Sequence, residues 1–329
     1  MKVLITGANG LLGHNIVLKL IAEGHEVNAI VRKAESIKVQ HSKLHIFQGS
    51  FMDHEALKIA TSGCHAVIHV AAATDMSLSY SEFYDTNVKG SEIVLNVANL
   101  LGIRRIVYIS TLNTIGYGSK DNYATEQQPI QYPFTHSFYA QTKLIAEKKF
   151  FQATKQENGM NVVVINPGFM LGAYDTKPSS GQLLLAAYKK PIMATPKGGK
   201  AFVSVADVAT AVVAALECGK NGERYIAAAV NMTLKDFYKL QAKVCGYKQL
   251  LITIPNWLIN AIGTIGNGLR AMGIKTQVCT MNTKQLCVKE YYSNQKAKCE
   301  LNMPETPIEK AIQEEIDWLL QGNKIKNRR

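Results

Sequence analysis

Two side chains four residues apart, Tyr139 and Lys143, have the types and the spacing that proton transfer requires. On a helix, residues four apart lie on one face, so the phenol and the ammonium would be neighbours. An ammonium near a phenol stabilises the phenolate, which predicts that the pKa of Tyr139 is lowered from about 10 toward working pH. The pair therefore predicts a general acid or base. By itself, the same pattern also describes an ordinary surface pair.

A third reactive group is expected where a predicted strand runs into two hydroxyl residues, Ser110 and Thr111. Open parallel sheets bind ligands at the carboxyl ends of their strands. One of these hydroxyls can hydrogen-bond a substrate oxygen and hold it near Tyr139. Neither position is specific by itself, because Ser and Thr are common in turns after strands.

The alternation of short apolar runs with helical patterns predicts the elements that position these residues. Strands are predicted at 2–6, 26–31, 44–48, 66–70, 106–109 and 162–166. Helices are predicted between them, at 11–23, 55–62, 88–101 and 138–155. This rhythm favours parallel pairing with right-handed crossovers, and thus an α/β fold with a doubly wound parallel sheet of the Rossmann type.

A glycine-rich turn links the first strand to the first helix. Residues 4–13 are Leu-Ile-Thr-Gly-Ala-Asn-Gly-Leu-Leu-Gly. Gly7 is expected to permit a tight turn, Gly10 the close approach of the backbone to a pyrophosphate, and Gly13 the packing of helix on strand. The helix start would direct its N–H groups and positive dipole end at the diphosphate. The pattern predicts dinucleotide contacts from Gly7, Asn9, Gly10, Leu11, Leu12 and Gly13.

The end of the second strand bears on which dinucleotide is bound. An NAD site usually has an acid there that binds the ribose hydroxyls. This chain has Arg32 and Lys33 instead, and no acid before Glu35. A guanidinium can hold a phosphate through two hydrogen bonds, and the neighbouring ammonium adds charge. The cofactor NADP(H) is therefore favoured, with NAD(H) as the alternative, since two cations in a turn can also be merely solvated.

The alternation of strands and helices stops after Pro167. Gly and Pro cluster between 168 and 199, and the last hundred residues lack the strand–helix–strand rhythm. We expect a dinucleotide-binding domain at 1–167, with return segments around 200–226. Residues 168–329 are expected to form mainly a smaller, mostly helical lobe that binds the substrate.

Charge and cysteine content narrow the choice of partners. The net charge of +12 is compatible with nucleic acid, a membrane surface or an anionic ligand. The cations are spread along the chain, dense only at 324–329, with no basic stretch interleaved with aromatic residues, so no nucleic-acid partner is expected. The six cysteines form no Cys-x-x-Cys pair and have no histidine cluster nearby, so no metal site is expected. With no leader pattern before the first strand, reduced cysteines and a cytoplasmic location are expected.

The longest apolar stretch, residues 251–265, is interrupted by Pro255, Asn256 and Asn260. It is too short to cross a bilayer, so no stable membrane span is expected. A lid over the substrate pocket is the favoured interpretation. An amphipathic helix that docks on a membrane or a partner is the alternative.

The combination of motifs resembles the extended short-chain dehydrogenases/reductases, of the NAD(P)-dependent epimerase/dehydratase superfamily, and within it the dihydroflavonol-4-reductase-like branch. The matching stretches, in the family's order, are 6–13, 30–33, 69–73, 87–90, 106–111, 139–143 and 166–172. The resemblance implies that Thr111, Tyr139 and Lys143 are catalytic, with Lys143 also holding the nicotinamide ribose. It implies cofactor contacts outside the glycine turn at Arg32, Lys33, Ser50, Phe51, Ala71, Ala72, Ala73, Ser110, Tyr139, Lys143, Pro167, Gly168, Phe169, Met170 and Ser179.

Two positions depart from the family's pattern. The family usually has an acid after the glycine of its third strand to bond adenine, whereas this chain has Ser50. The family's hydroxyl residue is more often Ser, and Thr111 adds a methyl group to the pocket. Members often pair through helices such as 88–101 and 138–155, so a homodimer is one option.

The resemblance implies an oxidoreductase that reduces a carbonyl compound, or oxidises the alcohol, with Tyr139 as acid or base. Nucleotide-sugar epimerisation by the same residues is the alternative. Dehydration is disfavoured, because dehydratases have an Asp-Glu pair where this chain has Leu112 and Asn113. A non-catalytic redox sensor is the third reading, and it leaves the complete set of acid–base residues unexplained.

Overall fold

A parallel sheet with helices on both faces forms the centre of the molecule. The computed structural model describes residues 1–155, 159–176 and 181–322. Its strands are β1 (Lys2–Thr6), β2 (Glu26–Val31), β3 (Leu44–Gln48), β4 (Ala66–His69), β5 (Arg105–Ile109), β6 (Asn161–Pro167), β7 (Phe169–Leu171), β8 (Ile192–Thr195), β9 (Gly199–Ser204), β10 (Glu223–Ala227), β11 (Val230–Thr233) and β12 (Leu250–Thr253). Its α-helices are α1 (Leu11–Ala22), α2 (His54–Thr61), α3 (Tyr80–Tyr84), α4 (Gly90–Leu100), α5 (Phe138–Ala153), α6 (Gly181–Ala187), α7 (Val205–Ala214), α8 (Leu234–Val244), α9 (Asn256–Ala271), α10 (Thr280–Gln285), α11 (Gln295–Leu301) and α12 (Ile308–Gln321).

The central sheet has seven strands in the order β10-β6-β5-β4-β1-β2-β3, and every neighbouring pair is parallel. The chain winds outward in one direction from β1 and in the other from β4. Open parallel sheets bind ligands where the strand order reverses in this way. The predicted doubly wound α/β fold is confirmed.

Apolar side chains fill both faces of the sheet. Helices α1 and α7 cover one face with residues such as Ile16 and Val212. Helices α2, α4 and α5 cover the other with residues such as Leu57, Val94 and Phe150. Because the inner strands are covered on both sides, they are apolar almost throughout instead of alternating, as buried parallel strands usually are.

The predicted strand positions are confirmed, with ends that agree to the residue for β1, β2 and β3 and within one residue for β4, β5 and β6. The seventh strand, β10, was not predicted as a strand. Its five residues, Glu-Arg-Tyr-Ile-Ala, contain only a brief apolar run, and it pairs with β6 across a long separation in sequence. A local pattern carries little information about such a partner.

The remaining elements after β6 pack mainly outside the central sheet. Strands β7, β9 and β11 form a three-stranded sheet, and β8 pairs with β12. Helices α6, α8 and α12 enclose a separate apolar cluster in which the rings of Phe202 and Phe237 stack 4.3 Å apart. Thr306 links this part to α7, since its backbone N–H and its hydroxyl each donate to Asp207 at 2.7 Å.

One helix runs without a break from Tyr80 to Leu100 and changes its winding in the middle. Ser79 and Glu82 form a capping box at its start. Residues Asp85–Lys89 are wound as a π-helix between α3 and α4. The predicted start at residue 88 was therefore too late. The apolar periodicity is in phase only after the π-helical segment, because such a segment inserts residues into the α-helical repeat.

Candidate active site

Helix α5 places Tyr139, Lys143 and Glu147 on one face. The helix follows Ser137, whose hydroxyl accepts a hydrogen bond from the backbone N–H of Ala140 at 3.5 Å. The sequence-based helix at 138–155 is confirmed, ending two residues earlier at Ala153. The two residues of the Tyr-x-x-x-Lys pattern therefore share the geometry that their spacing predicted.

The side chain of Lys143 is buried against the end of β5. Its ammonium donates a hydrogen bond to the carbonyl oxygen of Ile109 at 2.6 Å. The same nitrogen lies 4.2 Å from the centre of the Tyr108 ring. Burial lowers the pKa of Lys143 to about 7, while the nearby carboxylate of Glu147 opposes the shift. Lys143 therefore gains or loses a proton near neutral pH.

Thr111 supplies a hydroxyl group near the phenol of Tyr139. The proximity of this hydroxyl lowers the pKa of Tyr139. The backbone N–H of Asn113 donates to the Thr111 hydroxyl, at 3.3 Å, and holds it at the start of a short 3₁₀ turn. The neighbouring Ser110 is buried, and its hydroxyl has no partner among the described residues.

The structure does not have the lowered pKa that the sequence predicted for the phenol of Tyr139. Burial raises the pKa of Tyr139 to about 12, and the nearby Thr111 hydroxyl only partly opposes the rise. The prediction of a lowered pKa was wrong, because it counted the attraction to Lys143 and left out the cost of burying the charged phenolate. In this geometry, Tyr139 holds its proton at neutral pH.

A buried carboxylate that the sequence analysis missed lies one turn beyond Lys143. Glu147 accepts hydrogen bonds from the side chains of Thr114 and Asn166, each at 2.8 Å. Its other oxygen lies 3.2 Å from the guanidinium of Arg224 on β10. This cluster ties α5 to the turn after Thr111 and to the ends of β6 and β10. The signal in the sequence was an acid four residues after Lys143, on the same buried face.

The glycines between β1 and α1 lie where a side chain would clash with neighbouring backbone or cover the start of the helix. Gly7 has φ +74°, and a Cβ there would lie 2.7 Å from the backbone nitrogen of Ala71. A Cβ on Gly13 would lie 2.0 Å from the carbonyl oxygen of Gly7, so only glycine lets α1 approach β1 so closely. Gly10 is exposed and precedes the first turn of α1, which has no side-chain cap. The first N–H groups of α1 therefore face outward without a competing side chain.

The loop after β4 runs beside this turn and is held by two side chains. The hydroxyl of Thr6 accepts a hydrogen bond from the N–H of Ala71 at 3.2 Å. Asn87, in the π-helical segment, accepts from the N–H of Ala73 at 2.7 Å and donates to Thr142 at 3.2 Å. Ala72 is half-buried between them. Asn87 thus connects this loop to α5, a role that no local pattern in the sequence revealed.

The two cations at the end of β2, Arg32 and Lys33, are exposed. Neither forms an ion pair within the described part of the chain. The hydroxyl of Ser50, after β3, accepts a hydrogen bond from the N–H of Met52 at 3.2 Å. Phe51 points into the core, where its ring lies 5.5 Å from that of His69.

The segment after β6 closes the other end of the site. The N–H of Gly168 donates to Ala227 at 2.9 Å, and a Cβ on Gly168 would lie 2.5 Å from the carbonyl oxygen of Ala201. Phe169 packs edge-on against Phe202, and Met170 lies beside the core of the central sheet. Pro167 is the last residue of β6. Ser179 lies outside the described residues.

Among the described residues, no three His, Cys, Asp or Glu side chains are grouped so that they could hold a metal ion. Within the same part of the chain, no helix combines the length and the apolar character that crossing a bilayer requires.

Comparison with known proteins places this site in a family. Residues 3–228 match the family described as "NAD dependent epimerase/dehydratase family". A putative dihydroflavonol 4-reductase of Synechocystis is 28% identical over 332 residues, which cover 98% of this chain and 95% of that protein. A ketoreductase of Stigmatella aurantiaca is 32% identical over 275 residues, which cover 82% of this chain and 80% of that protein. It is named for 4-hydroxy-2-methyl-3-oxo-4-farnesyl-3,4-dihydroquinoline-1-oxide.

Solved structures agree with the sequence relatives. The crystal structure of gox2253 superposes with a TM-score of 0.83 at 25% identity and covers 98% of this chain and 99% of its own. The matched range, residues 3–228, contains the glycine turn, the Tyr139–Lys143 pair and the strand end at Thr111. The chain therefore belongs to the NAD dependent epimerase/dehydratase family, as an NAD(P)-dependent enzyme of the extended short-chain dehydrogenase/reductase type in its dihydroflavonol-4-reductase-like branch.

Proposed function

We propose that this chain is an NADP(H)-dependent oxidoreductase that reduces a carbonyl compound, or oxidises the corresponding alcohol. The observation that carries the proposal is the proximity of the Tyr139 phenol to the Thr111 hydroxyl, beside the buried ammonium of Lys143. Two hydroxyl groups that lie near each other can both reach one substrate oxygen. They lie at the carboxyl end of β5, the edge of the sheet at which such folds bind ligands.

The residues around the glycine turn fit a dinucleotide, because the backbone at Gly7 and Gly10 is free of side chains and the start of α1 is uncapped. We assign the pyrophosphate to this turn and to Asn9, Leu11, Leu12 and Gly13, and the nicotinamide end to Lys143, Ser110 and residues 167–170. Ala71–Ala73, Ser50 and Phe51 would border the adenosine end. Bound NADP(H) supplies or accepts the hydride.

In the direction of reduction, Thr111 and Tyr139 hold the substrate oxygen by two hydrogen bonds. Tyr139 then gives its proton to that oxygen, and the ammonium of Lys143 stabilises the phenolate that remains. The high pKa of Tyr139 suits this direction, since the phenol is fully protonated before the reaction. Glu147 acts through position only: its hydrogen bonds fix the turn that carries Thr111.

The names of the relatives point to bulky, largely apolar carbonyl substrates. One is named for a dihydroflavonol and another for a farnesylated quinoline. In this chain, the rings of Phe83 and Tyr139 lie 6.0 Å apart, and Tyr80 packs edge-on against Phe138 at 5.6 Å. Tyr80 and Phe138 are both exposed, so they can form an aromatic rim for such a substrate. We assign the rest of the substrate site to the lobe after residue 167.

Nucleotide-sugar epimerisation is the second candidate, and lysines on the second lobe favour it. A cavity of about 720 Å³ is lined by Lys120, Lys197, Lys235 and Lys289, with Asp121 as the opposing acid. Two cations that could have served a diphosphate elsewhere are engaged, because Lys200 pairs with Glu290 and Arg224 with Glu147. The reductase therefore remains the better-supported function.

The test is a turnover screen with ketones, aldehydes and nucleotide sugars. A reductase consumes one NADPH for each carbonyl reduced, which the loss of absorbance of the reduced nicotinamide measures. An epimerase converts its sugar with no net change in the cofactor. Conversion of a nucleotide sugar without net oxidation of NADPH would show that the chain is an epimerase and not a reductase.

Cofactor choice gives a separate prediction. Replacing the exposed cations in the variant Arg32→Ala/Lys33→Ala is expected to weaken NADPH binding about 100-fold, because hydrogen bonds to charged groups contribute about 1.5–3 kcal/mol. NADH binding should change less than threefold. Calorimetric titration measures both constants, and Lys38→Ala, an exposed lysine on the following loop, is the matched control. Equal weakening for both cofactors would contradict a role in binding the 2′-phosphate.

A further inference from the structure

Helix α9 exposes its apolar face to solvent, whereas an ordinary surface helix turns its apolar face to the core. Its inward face contains two glycines and a single large apolar residue, Ile259. A Cβ on Gly263 would lie 2.3 Å from the Thr283 hydroxyl, and one on Gly266 would lie 2.1 Å from the carbonyl oxygen of Val278. Most of its large apolar residues point outward. Trp257 is 70% exposed, Ile265 67% and Met272, which caps the helix, 76%.

Polar contacts fix the rotation of the helix. The amide of Asn267 donates to the Thr280 hydroxyl at 2.7 Å and accepts from the Thr280 N–H at 3.1 Å. The guanidinium of Arg270 donates to the carbonyl oxygens of Thr276 and Met76 at 2.9 and 2.6 Å. Turning the apolar face inward would break these bonds and would force large side chains against α10, where only glycine fits. The lid over the substrate pocket stays a prediction.

The exposed apolar face is continuous along the helix. Leu258, Ile262 and Leu269 are also exposed, as are Leu250 and Ile252 on β12, which leads directly into α9. Monomeric proteins rarely expose such a row of large apolar side chains, and where they do it usually marks an interaction site. An exposed Trp at one end is typical of helices that lie in the boundary between water and lipid.

The surrounding charge indicates which partner fits. Residues 237–289, all of them described, contain no Asp or Glu and seven cations: Lys239, Lys243, Lys248, Arg270, Lys275, Lys284 and Lys289. Two acids from a neighbouring loop and helix, Asp75 and Glu82, approach Lys275. The segment as a whole is positive, as is the chain, at +12. Lys239 pairs with Asp236, which precedes this window, at 3.9 Å. An apolar face on a segment that carries an excess of cations is complementary to an anionic bilayer surface.

We propose that the outward face of α9 docks on an anionic lipid bilayer, with the helix parallel to the membrane plane. The bond from Arg270 to Met76 places this surface beside the loop that follows the site residues Ala71–Ala73. A substrate dissolved in the lipid could then reach the candidate active site without crossing water. The docking itself does not depend on the reaction that the site performs.

Vesicle binding tests the proposal with the full-length protein. Vesicles of phosphatidylcholine with about one-third phosphatidylglycerol should sediment with the protein and shift the Trp257 emission to shorter wavelength. The shift should persist in Trp318→Phe and vanish in Trp257→Phe. The partition coefficient of the protein between vesicles and water should be at least fivefold lower with vesicles of phosphatidylcholine alone. The same reduction is expected with anionic vesicles in 0.5 M salt.

Charged substitutions separate docking from the alternatives. Ile265→Glu/Met272→Glu should reduce the partition coefficient at least tenfold, whereas Ile59→Glu, at a site 62% exposed on α2, should change it less than twofold. Tyr139→Phe should bind vesicles as the wild type does, even if the proposed reaction is wrong. Three results would overturn the proposal: no sedimentation with anionic vesicles, a dimer in solution that the double variant dissociates, or a raised KM in that variant without any vesicle binding.

Discussion

Tyr139→Phe is expected to lower kcat for carbonyl reduction by about 10²- to 10⁴-fold, the usual contribution of a positioned general acid. The substitution removes one oxygen and leaves a ring of the same shape in a half-buried position. Thr111 keeps its hydrogen bond from the N–H of Asn113, so the strand end stays in place. Because NADPH binding is assigned to the glycine turn and the cations after β2, its dissociation constant should change less than about threefold.

Steady-state kinetics with calorimetric titration of NADPH measures both quantities in one preparation. Tyr123→Phe is the matched control, since Tyr123 is exposed and packs edge-on against Tyr291, away from α5. It should keep wild-type kcat and KM. Unchanged turnover in Tyr139→Phe would remove Tyr139 from the chemistry. A wild type without turnover of any carbonyl would leave the chain as a dinucleotide-binding protein, the third reading of the sequence.

Lys143→Met is expected to lose at least 100-fold in kcat and, at the same time, to unfold at a higher temperature than the wild type. Burial depresses the pKa of Lys143 from 10.5 to about 7, a shift that corresponds to about 5 kcal/mol of unfavourable charging at 1.36 kcal/mol per unit. Losing the hydrogen bond to Ile109 offsets part of this gain, whereas the attraction to Glu147 is already contained in the net shift. We expect a net stabilisation of about 2 kcal/mol at neutral pH.

The sign of the pH dependence follows from the direction of the shift. Between pH 7 and 10.5 the unfolded chain binds a proton at Lys143 that the folded chain does not, so folding becomes more favourable as the pH rises through this window. The stability advantage of Lys143→Met should therefore be largest below about pH 7 and disappear above pH 10.5. Carbonyl reduction by the wild type should decline above about pH 7, as the ammonium that stabilises the phenolate is lost.

Thermal unfolding at several pH values tests this prediction, with Lys148→Met, an exposed lysine on the same helix, as the control. The control should change neither the unfolding temperature nor kcat appreciably. A Lys143→Met variant that is less stable than the wild type at pH 7 would show that the hydrogen bond to Ile109 outweighs the cost of burying the ammonium.

The features predictable from the sequence are those whose cause is local. The glycines at 7, 10 and 13 belong to one turn, and Tyr139 and Lys143 to one helix, so spacing alone fixes their relative placement. The inner strands were found because buried parallel strands are apolar almost throughout, and the edge strand β3 because it follows the same alternation with helices. Strand β10 lacked such a run, and its place beside β6 depends on contacts that are distant in the chain.

The features that the sequence did not reveal depend on burial and on tertiary contacts. The pKa of Tyr139 was predicted with the wrong sign, since the pattern shows the neighbouring lysine but not the loss of solvent around the phenol. The cluster around Glu147 combines side chains from α5, β6 and β10, and no single stretch contains it. For α9, the amphipathic pattern was visible in the sequence, and only the structure shows that the glycine face is the inward one.

The π-helical turn at Asp85–Lys89 lets the two halves of one continuous helix contact different parts of the molecule. Each residue of an α-helix turns the chain by about 100°, so an inserted residue offsets the face of α3 from that of α4. The α4 half fills the core of the central sheet, while the α3 half carries Tyr80 and Phe83 beside Phe138 and Tyr139. Changes at the exposed Tyr80 can therefore reshape the aromatic rim without disturbing the contacts of α4, whereas the buried Phe83 has to be kept. The exposed side of this short half-helix would thus let related enzymes diverge in the molecules they accept.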